Sequence, residues 1–177
     1  GVNLNLSNSN QYVAENSVWF KSYFAVPIIP VYDDQNTAAT PNQYSNAQQL
    51  GYRGSQNPFY DLEYNDNRNQ ATKILANVYL EYDLIPQMLS FKTAYNYSYS
   101  NVVSRNVDFA YHDGVTNVLS ALRRSSGNNS NQIWDNYLTF NKDFDLHHLT
   151  AVAGYSFRSE TSEGVFVRGT ELEPDPT

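Results

Sequence analysis

The sequence contains no cysteine, which removes disulfide bonds and thiolate metal ligands from the chemistry open to this chain. It also lacks an apolar run of about 18 residues, the length that marks a membrane-spanning helix. The longest candidate, residues 24–31, is interrupted by Pro27 and Pro30. Positive charge is scarce, because 11 Lys and Arg oppose 18 Asp and Glu for a formal net charge of −7. We therefore expect no nucleic-acid partner, since proteins that bind phosphate backbones carry a basic face.

Signatures of catalysis and of metal binding are missing as well. Neighbouring acids such as Asp61 and Glu63 do not establish a glycosidase pair, which needs two carboxylates held across a sugar bond. No G-x-S-x-G or comparable serine motif supports nucleophilic catalysis. His147 and His148 are adjacent, so an extended chain would point them to opposite faces and away from a shared metal. We predict that the protein is not an enzyme and has no cofactor and no metal site.

Residues 61–69, DLEYNDNRN, leave calcium binding open as an alternative, because Ca²⁺ prefers oxygen ligands. The segment lacks the glycine at the sixth place and the acid at the twelfth that an EF-hand loop needs. Solvated loop charges are the simpler interpretation, since Asp and Glu are mostly exposed.

What the sequence does contain is a clear alternation of apolar and polar side chains over residues 71–100. Val78 and Leu80 share one face in the first half, and Phe91 belongs to the apolar face of the second half. Successive side chains of a strand point to opposite sides of the sheet. The pattern therefore predicts two long strands joined by a turn at Pro86.

A second hairpin with the same pattern follows over residues 132–158, with a turn around residues 143–146. Its aromatic residues Trp134, Tyr155 and Phe157 all lie at the end of the strands away from that turn. Short turns thus fall at one end of both hairpins, and long connections fall at the other end.

These patterns predict an all-β protein of antiparallel strands. The predicted strands cover about residues 2–8, 71–84, 88–101, 131–142 and 147–158. The predicted loops cover about residues 10–70, 101–130, with a flexible tip at 125–131, and 159–177. A short helix is predicted over residues 15–25, with Asn16 or Ser17 as its cap and Pro27 as its end.

The alternation fits two kinds of β-protein. In a soluble sandwich the apolar face packs inward, whereas in a membrane barrel it faces lipid. Strands of at least the roughly 9 to 11 residues that cross a bilayer favour the barrel, as do tyrosines such as Tyr82 and Tyr97 near strand ends. The lopsided connections favour it too. A secreted β-sandwich carbohydrate-binding module or adhesin is the alternative, and a glycoside hydrolase a more distant one.

The order and spacing of four segments resemble the SusC/RagA family of TonB-dependent outer-membrane transporters. The segments are SYFAVPIIPVYDD at residues 22–34, NPFYDLE at 57–63, KILANVYLEYDLIPQMLSFKTAYNY at 73–97 and NQIWDNYLTFNKDFDLHHLTAVAGYSF at 131–157. The resemblance lies in the string of segments and covers most of the chain between residues 22 and 157.

The resemblance implies a 22-stranded barrel in the bacterial outer membrane that imports glycans or peptides. It also implies an N-terminal plug, a segment that contacts the TonB complex, and a SusD-like surface lipoprotein that covers the outer side. We expect this chain to be a fragment or processed piece, residues 1–177 forming part of such a barrel without the plug. The expected partners are outer-membrane lipid, a SusD-like lipoprotein and an oligosaccharide or peptide. The TonB complex is also expected to bind, through another part of the protein.

Aromatic residues of the predicted loops are the candidate ligand contacts, because aromatic faces stack on sugars and pack on peptides. Packing within the loops or against a partner protein is the competing role for most of them. The candidates are Trp19, Phe20, Tyr52, Phe59, Tyr60 and Tyr111.

Overall fold

A computed structural model describes residues 1–54 and 56–172 and shows a chain built mainly of long strands. The longest strands have 20 to 24 residues, about four times the length common in soluble sheets. The elements are β1 (Val2–Tyr12), α1 (Asn16–Tyr23), β2 (Ala39–Thr40), α2 (Phe59–Glu63), β3 (Asn65–Ile85), β4 (Leu89–Asp108), β5 (Tyr111–Asp113), β6 (Asn117–Val118), β7 (Ala121–Phe144) and β8 (His147–Thr170).

The long strands form one five-stranded sheet in the order β1, β3, β4, β7, β8. Two short turns join its hairpins, with Gln87 in one and Asp145 in the other at positive φ. The mostly antiparallel architecture agrees with the predicted all-β class. A second, antiparallel sheet contains the short strands β2, β5 and β6, with Ala39 opposite Asp113 and Tyr111 opposite Val118.

Side-chain contacts between neighbouring strands identify which residues share a face of the large sheet. Asn77 of β3 donates a 2.5 Å hydrogen bond to Asn96 of β4. On the other face, the indole nitrogen of Trp134 in β7 donates to the hydroxyl of Thr93, at 2.9 Å. These contacts place Asn77 with Asn96 on one face and Thr93 with Trp134 on the other, as the alternation predicted.

The apolar face of the large sheet is left uncovered by the part of the chain that the structure describes. Leu4 of β1 is 63% exposed, and Leu80 and Tyr82 of β3 are 61% and 63% exposed. A soluble β-sandwich would bury such residues between two packed sheets, and the strands of the second sheet here have only two or three residues. The sheet therefore differs from one half of a soluble β-sandwich.

Three predicted loop boundaries are wrong, because the strands continue further than the alternation indicated. β3 begins at Asn65 inside the predicted loop 10–70, and β4 and β7 take up much of the predicted loop 101–130. β8 runs to Thr170 through most of the predicted loop 159–177, whose residues 173–177 lie outside the described part.

Pairing with a neighbouring strand explains these extensions. Main-chain hydrogen bonds along a sheet do not require apolar side chains. Asn- and Ser-rich segments therefore remain β-strand as long as the adjacent strand continues to pair with them. The predicted flexible tip at residues 125–131 is part of β7, where Asn128 accepts hydrogen bonds from Tyr99 and Asn101 of β4. The prediction of a tip there is wrong for the same reason.

The predicted helix over residues 15–25 is present as α1, but its predicted cap is wrong. The residue at the N-cap is Glu15, whose side chain makes no capping hydrogen bond, while Asn16 already lies within the helix. At the other end, the Phe24 amide donates to the Phe20 carbonyl at 3.1 Å. The helix thus ends before Pro27.

The chain divides into two compact units. The strand unit contains Gly1–Ser9, Ala71–Val102 and Gly127–Gly164. The loop unit contains Asn10–Gln70, Val103–Ser126 and the described part of residues 165–177. Among the described residues, no helix has both the length and the apolar character needed to cross a membrane.

Candidate functional site

A cluster of aromatic rings forms the centre of the loop unit. Tyr44 and Tyr60 are completely buried, and Tyr64 is nearly so. Tyr60 belongs to α2 and stacks on Tyr111 of β5, with ring centroids 4.5 Å apart and planes at 15°. Tyr44 meets the Tyr60 ring edge to face at 5.0 Å. Aromatic pairs in these geometries stabilise a fold beyond the apolar area that they bury, so the cluster joins α2 to the short sheet.

Burial disfavours the ionised form of these tyrosines. It raises the pKa of Tyr60 above the ordinary value, and the nearby Asp113 carboxylate raises it further. Burial likewise raises the pKa of Tyr111, with Asp61 as the next cause. A phenol with a raised pKa is a poor general base near neutral pH, which suits a packing role for these side chains.

A part-buried ion pair attaches α1 to α2 in the same unit. The Lys21 ammonium donates to the Asp61 carboxylate at 2.7 Å and to the Gln56 side-chain carbonyl at 2.7 Å. Gln56 in turn donates to the Asp113 carboxylate at 2.9 Å. The side chains of Lys21 and Asp61 are only 17% and 9% exposed, so water screens this pair less than a surface pair.

The structure places the six aromatic candidates in different environments. Phe59, Tyr60 and Tyr111 come together in the aromatic cluster. Trp19 and Phe20 of α1 are 81% and 62% exposed, whereas Tyr60 has no exposed surface. Trp19 and Phe20 are thus the most accessible of the six.

Tyr52 is neither in the aromatic cluster nor on α1. It is partly exposed, and its amide donates to the Ala47 carbonyl at 2.9 Å. Ligand contact by any of the six residues stays a prediction.

Sequence reasoning missed an apolar pocket in the loop unit. The pocket lies beyond the last turn of α1, and its walls include Ala25, Val26, Ile29, Val31, Ala47 and Phe59. The short apolar segment around residues 24–31 was the available signal, because apolar residues between prolines in a polar loop need a surface to pack against. The partner residues Ala47 and Phe59 lie far along the chain and carry no such signal.

The polar face of the strand unit holds a row of amide side chains. Asn77, Asn96 and Asn131 border a shallow trough of about 420 Å³ that also includes Asn3 and Asn5 of β1, together with apolar residues such as Leu75 and Ile133. The side-chain oxygen of Asn131 is buried without a hydrogen-bond partner within the described residues. Amides both donate and accept hydrogen bonds, so the amide side chains of this trough can bind hydroxyl or peptide groups.

The acids of residues 61–69 are engaged with groups of the protein. Glu63 accepts a 2.8 Å hydrogen bond from Asn42. Asp66 accepts from Arg68 and from Arg105, each at 2.8 Å. The hydrogen bond from Arg68 lowers the pKa of Asp66, and Arg105 adds to the effect. Within residues 1–54 and 56–172, no three His, Asp or Glu side chains converge to hold a metal ion.

Comparison with known proteins points to one class. No family model matches the chain. It is 30% identical over 115 residues to the TonB-dependent receptor P3 of Formosa agariphila, a match that covers 62% of this chain and 11% of that protein. The chain thus corresponds to a small part of the length of this relative. The similarity supports the class of TonB-dependent receptors for this chain and does not reach the narrower SusC/RagA family.

Proposed function

We propose that these 177 residues form part of the barrel wall of a SusC/RagA-type TonB-dependent transporter in the bacterial outer membrane. The observation that carries the proposal is the sheet of very long strands with an uncovered apolar face. In β3 the strand unit contains residues 71–85, and in β7 it contains residues 127–144. Both exceed the roughly 9 to 11 residues that a tilted strand needs to cross a bilayer.

The two faces of the sheet suit lipid on one side and a water-filled lumen on the other. Exposed apolar residues such as Leu80 and Leu149 would contact acyl chains, and exposed Trp134 and Tyr155 would lie near the interface. The amide-rich trough would then line the lumen. The same uncovered face argues against the β-sandwich alternative, because water would otherwise meet a large apolar surface.

The complete protein would import glycans or peptides. The TonB complex would drive this import, and a SusD-like lipoprotein would cover the outer side of the barrel. The similarity to a TonB-dependent receptor supports the general class of activity, and the sequence resemblance supports the narrower family. In this proposal the chain does no covalent chemistry. Its strands would separate lipid from lumen, and its loop unit would contribute to the outer surface that meets substrate and lipoprotein.

Membrane extraction of the full-length protein tests the proposal. We expect it to fractionate with outer membranes, to require detergent for extraction, and to migrate differently on a gel with and without boiling, as folded barrels do. A full-length protein that remains monodisperse in buffer without detergent, with a cooperative thermal transition, would contradict a barrel and favour the sandwich.

Loss of uptake after deletion of the chromosomal gene would test transport itself. Cells would be supplied with oligosaccharides or with peptides as the sole carbon source, and growth would be compared with that of the parent strain. Unchanged growth on both nutrient classes, with the protein shown to be expressed in the parent, would contradict an importer of either class.

A further inference from the structure

The apolar pocket of the loop unit has the size of a small ligand site. It has a volume of about 220 Å³ and opens to solvent on one side. For comparison, an engineered apolar cavity of about 150 Å³ in another protein stays dry and binds benzene. The pocket is therefore large enough for a branched aliphatic or a phenyl group.

The chemistry of its walls selects uncharged apolar groups. None of the described residues that line it is ionisable, and most of the lining is aliphatic. Three of its polar side chains, those of Ser45, Gln56 and Asn57, are already hydrogen-bonded to other groups of the protein. The Ser45 hydroxyl donates to the Pro30 carbonyl, and the Asn57 amide donates to the Val31 carbonyl at 3.0 Å. A ligand hydroxyl placed inside the pocket would lose hydrogen bonds to water, which costs free energy where the wall side chains are already engaged.

One hydrogen bond between separate segments and two local ones hold the pocket in shape. The Ser45 amide donates to the Val31 carbonyl at 3.0 Å, and the Ile29 amide donates to the Val26 carbonyl at 3.0 Å. The side-chain carbonyl of Asn57 accepts from the Phe59 amide at 3.1 Å. A site that is already formed loses less conformational entropy when a ligand binds.

We propose that this pocket is a binding site for one uncharged apolar group of about four to seven carbon atoms, as in the side chain of leucine or phenylalanine. This inference goes beyond the proposed transport function and does not depend on it. The pocket would bind such a group whether the complete protein imports its ligand or only retains it at the surface.

The experiment uses the full-length protein in lipid nanodiscs, with isotope-labelled methyl groups on Ala, Val and Ile. N-acetyl-L-leucinamide is titrated, and N-acetyl-L-serinamide is the matched polar control. We expect saturable shifts of the Ala25, Val26 and Ile29 methyl signals, with affinity for the leucine probe at least about tenfold higher than for the serine probe. Equal affinities, or no saturable shift with leucinamide, would overturn the proposal.

Titration with 3-methyl-1-butanol separates two sources of the apolar group. This alcohol carries a branched aliphatic group without a peptide unit. Tighter binding of leucinamide identifies a peptide as the source, and equal binding identifies the apolar group alone as sufficient. Either result supports the pocket, because both require binding at the same methyl groups.

Two variants that fill the pocket with a larger side chain test whether the ligand binds there. Ala25 and Ser22 are exposed residues on the pocket wall, so Ala25→Leu and Ser22→Leu should occupy the space while preserving the fold. We expect each to weaken leucinamide binding at least about tenfold. The matched control is Ala38→Leu, an exposed alanine of the same unit outside the pocket. If both filling variants are folded, as judged by their gel mobility, and still bind leucinamide as tightly as the parent protein, the proposed binding site is wrong.

The transport assay and the binding assay reject different proposals. If deletion leaves uptake unchanged while leucinamide still binds at the pocket, the proposed function fails and the site stands. If uptake is lost on deletion but the pocket methyl groups do not respond to leucinamide, the transport proposal stands and the site is rejected.

Discussion

The ring of Tyr60 stacks on the ring of Tyr111 at 4.5 Å, which connects α2 to β5 across 51 positions of the chain. Because Tyr60 is fully buried, Tyr60→Ala should lower the free energy of unfolding of the loop unit by about 3 to 5 kcal/mol. Hydrogen exchange of the amides around residues 59–64 would measure the loss. Tyr60→Phe keeps the ring and removes only a long 3.4 Å hydrogen bond to His112, so it should cost less than about 1 kcal/mol. Equal losses would mean that the hydroxyl and not the ring stabilises the cluster.

The ion pair between Lys21 and Asp61 should matter more than exposed pairs of the same unit. Lys21→Met leaves a carboxylate without its closest cation in a part-buried site, and we expect a loss of about 3 kcal/mol. Arg123→Met is the control, because its pair with Asp108 is more exposed and should contribute at most about 1 kcal/mol. Chemical denaturation followed by loop-unit hydrogen exchange would compare them. A smaller effect at Lys21 than at Arg123 would refute the distinction.

Opposite faces of β3 should respond differently to a charge. Val78→Arg would place a guanidinium on the face proposed to meet lipid, which costs about 2 to 4 kcal/mol at the bilayer centre. Asn77→Arg lies on the face with Asn96, where an arginine can still donate to the Asn96 carbonyl, and it should be tolerated. Folding of the full-length protein into lipid vesicles measures both. Similar penalties at the two positions would show that the faces are assigned wrongly.

Alkaline pH should destabilise the loop unit through its buried tyrosines. The pKa of Tyr60 and of Tyr111 is raised in the folded state, so the stabilising contribution is fully present below the unfolded pKa of about 10. Above that value the unfolded chain loses protons that the folded chain retains, and the free energy of unfolding should fall as pH rises. Denaturant midpoints between pH 8 and pH 11 would show the decline. Tyr60→Phe should make it shallower, and an unchanged slope in that variant would contradict the assignment to Tyr60.

Alternation was enough to predict the long strands but not their ends. The side chains of Val78 and Leu80 repeat with the period of a strand, and a sheet with an apolar face follows from that repeat. Residues 125–131 have no such repeat and are strand only because β4 continues beside them. Strand length is therefore set by pairing, which the local sequence does not encode.

The burial of side chains in the loop unit could not be predicted from the sequence for a related reason. Trp19 and Tyr60 are both aromatic residues of polar segments, yet one is 81% exposed and the other has no exposed surface. Their difference arises from Tyr44 and Tyr111, which are distant in sequence from Tyr60. The walls of the apolar pocket are likewise assembled from separate segments, so only the three-dimensional structure brings Val26 and Ala47 together.

The loop unit is composed of three stretches of chain that are separated by the two hairpins of the strand unit. None of the three holds the complete aromatic cluster, since Tyr44 and Tyr60 come from the first stretch and Tyr111 from the second. Contacts between segments so far apart require the closure of long loops, which slows folding. Pairing of β3 with β4 brings α2, which precedes β3, close to β5, which follows β4. We therefore expect Tyr60 and Tyr111 to meet only once this hairpin has formed.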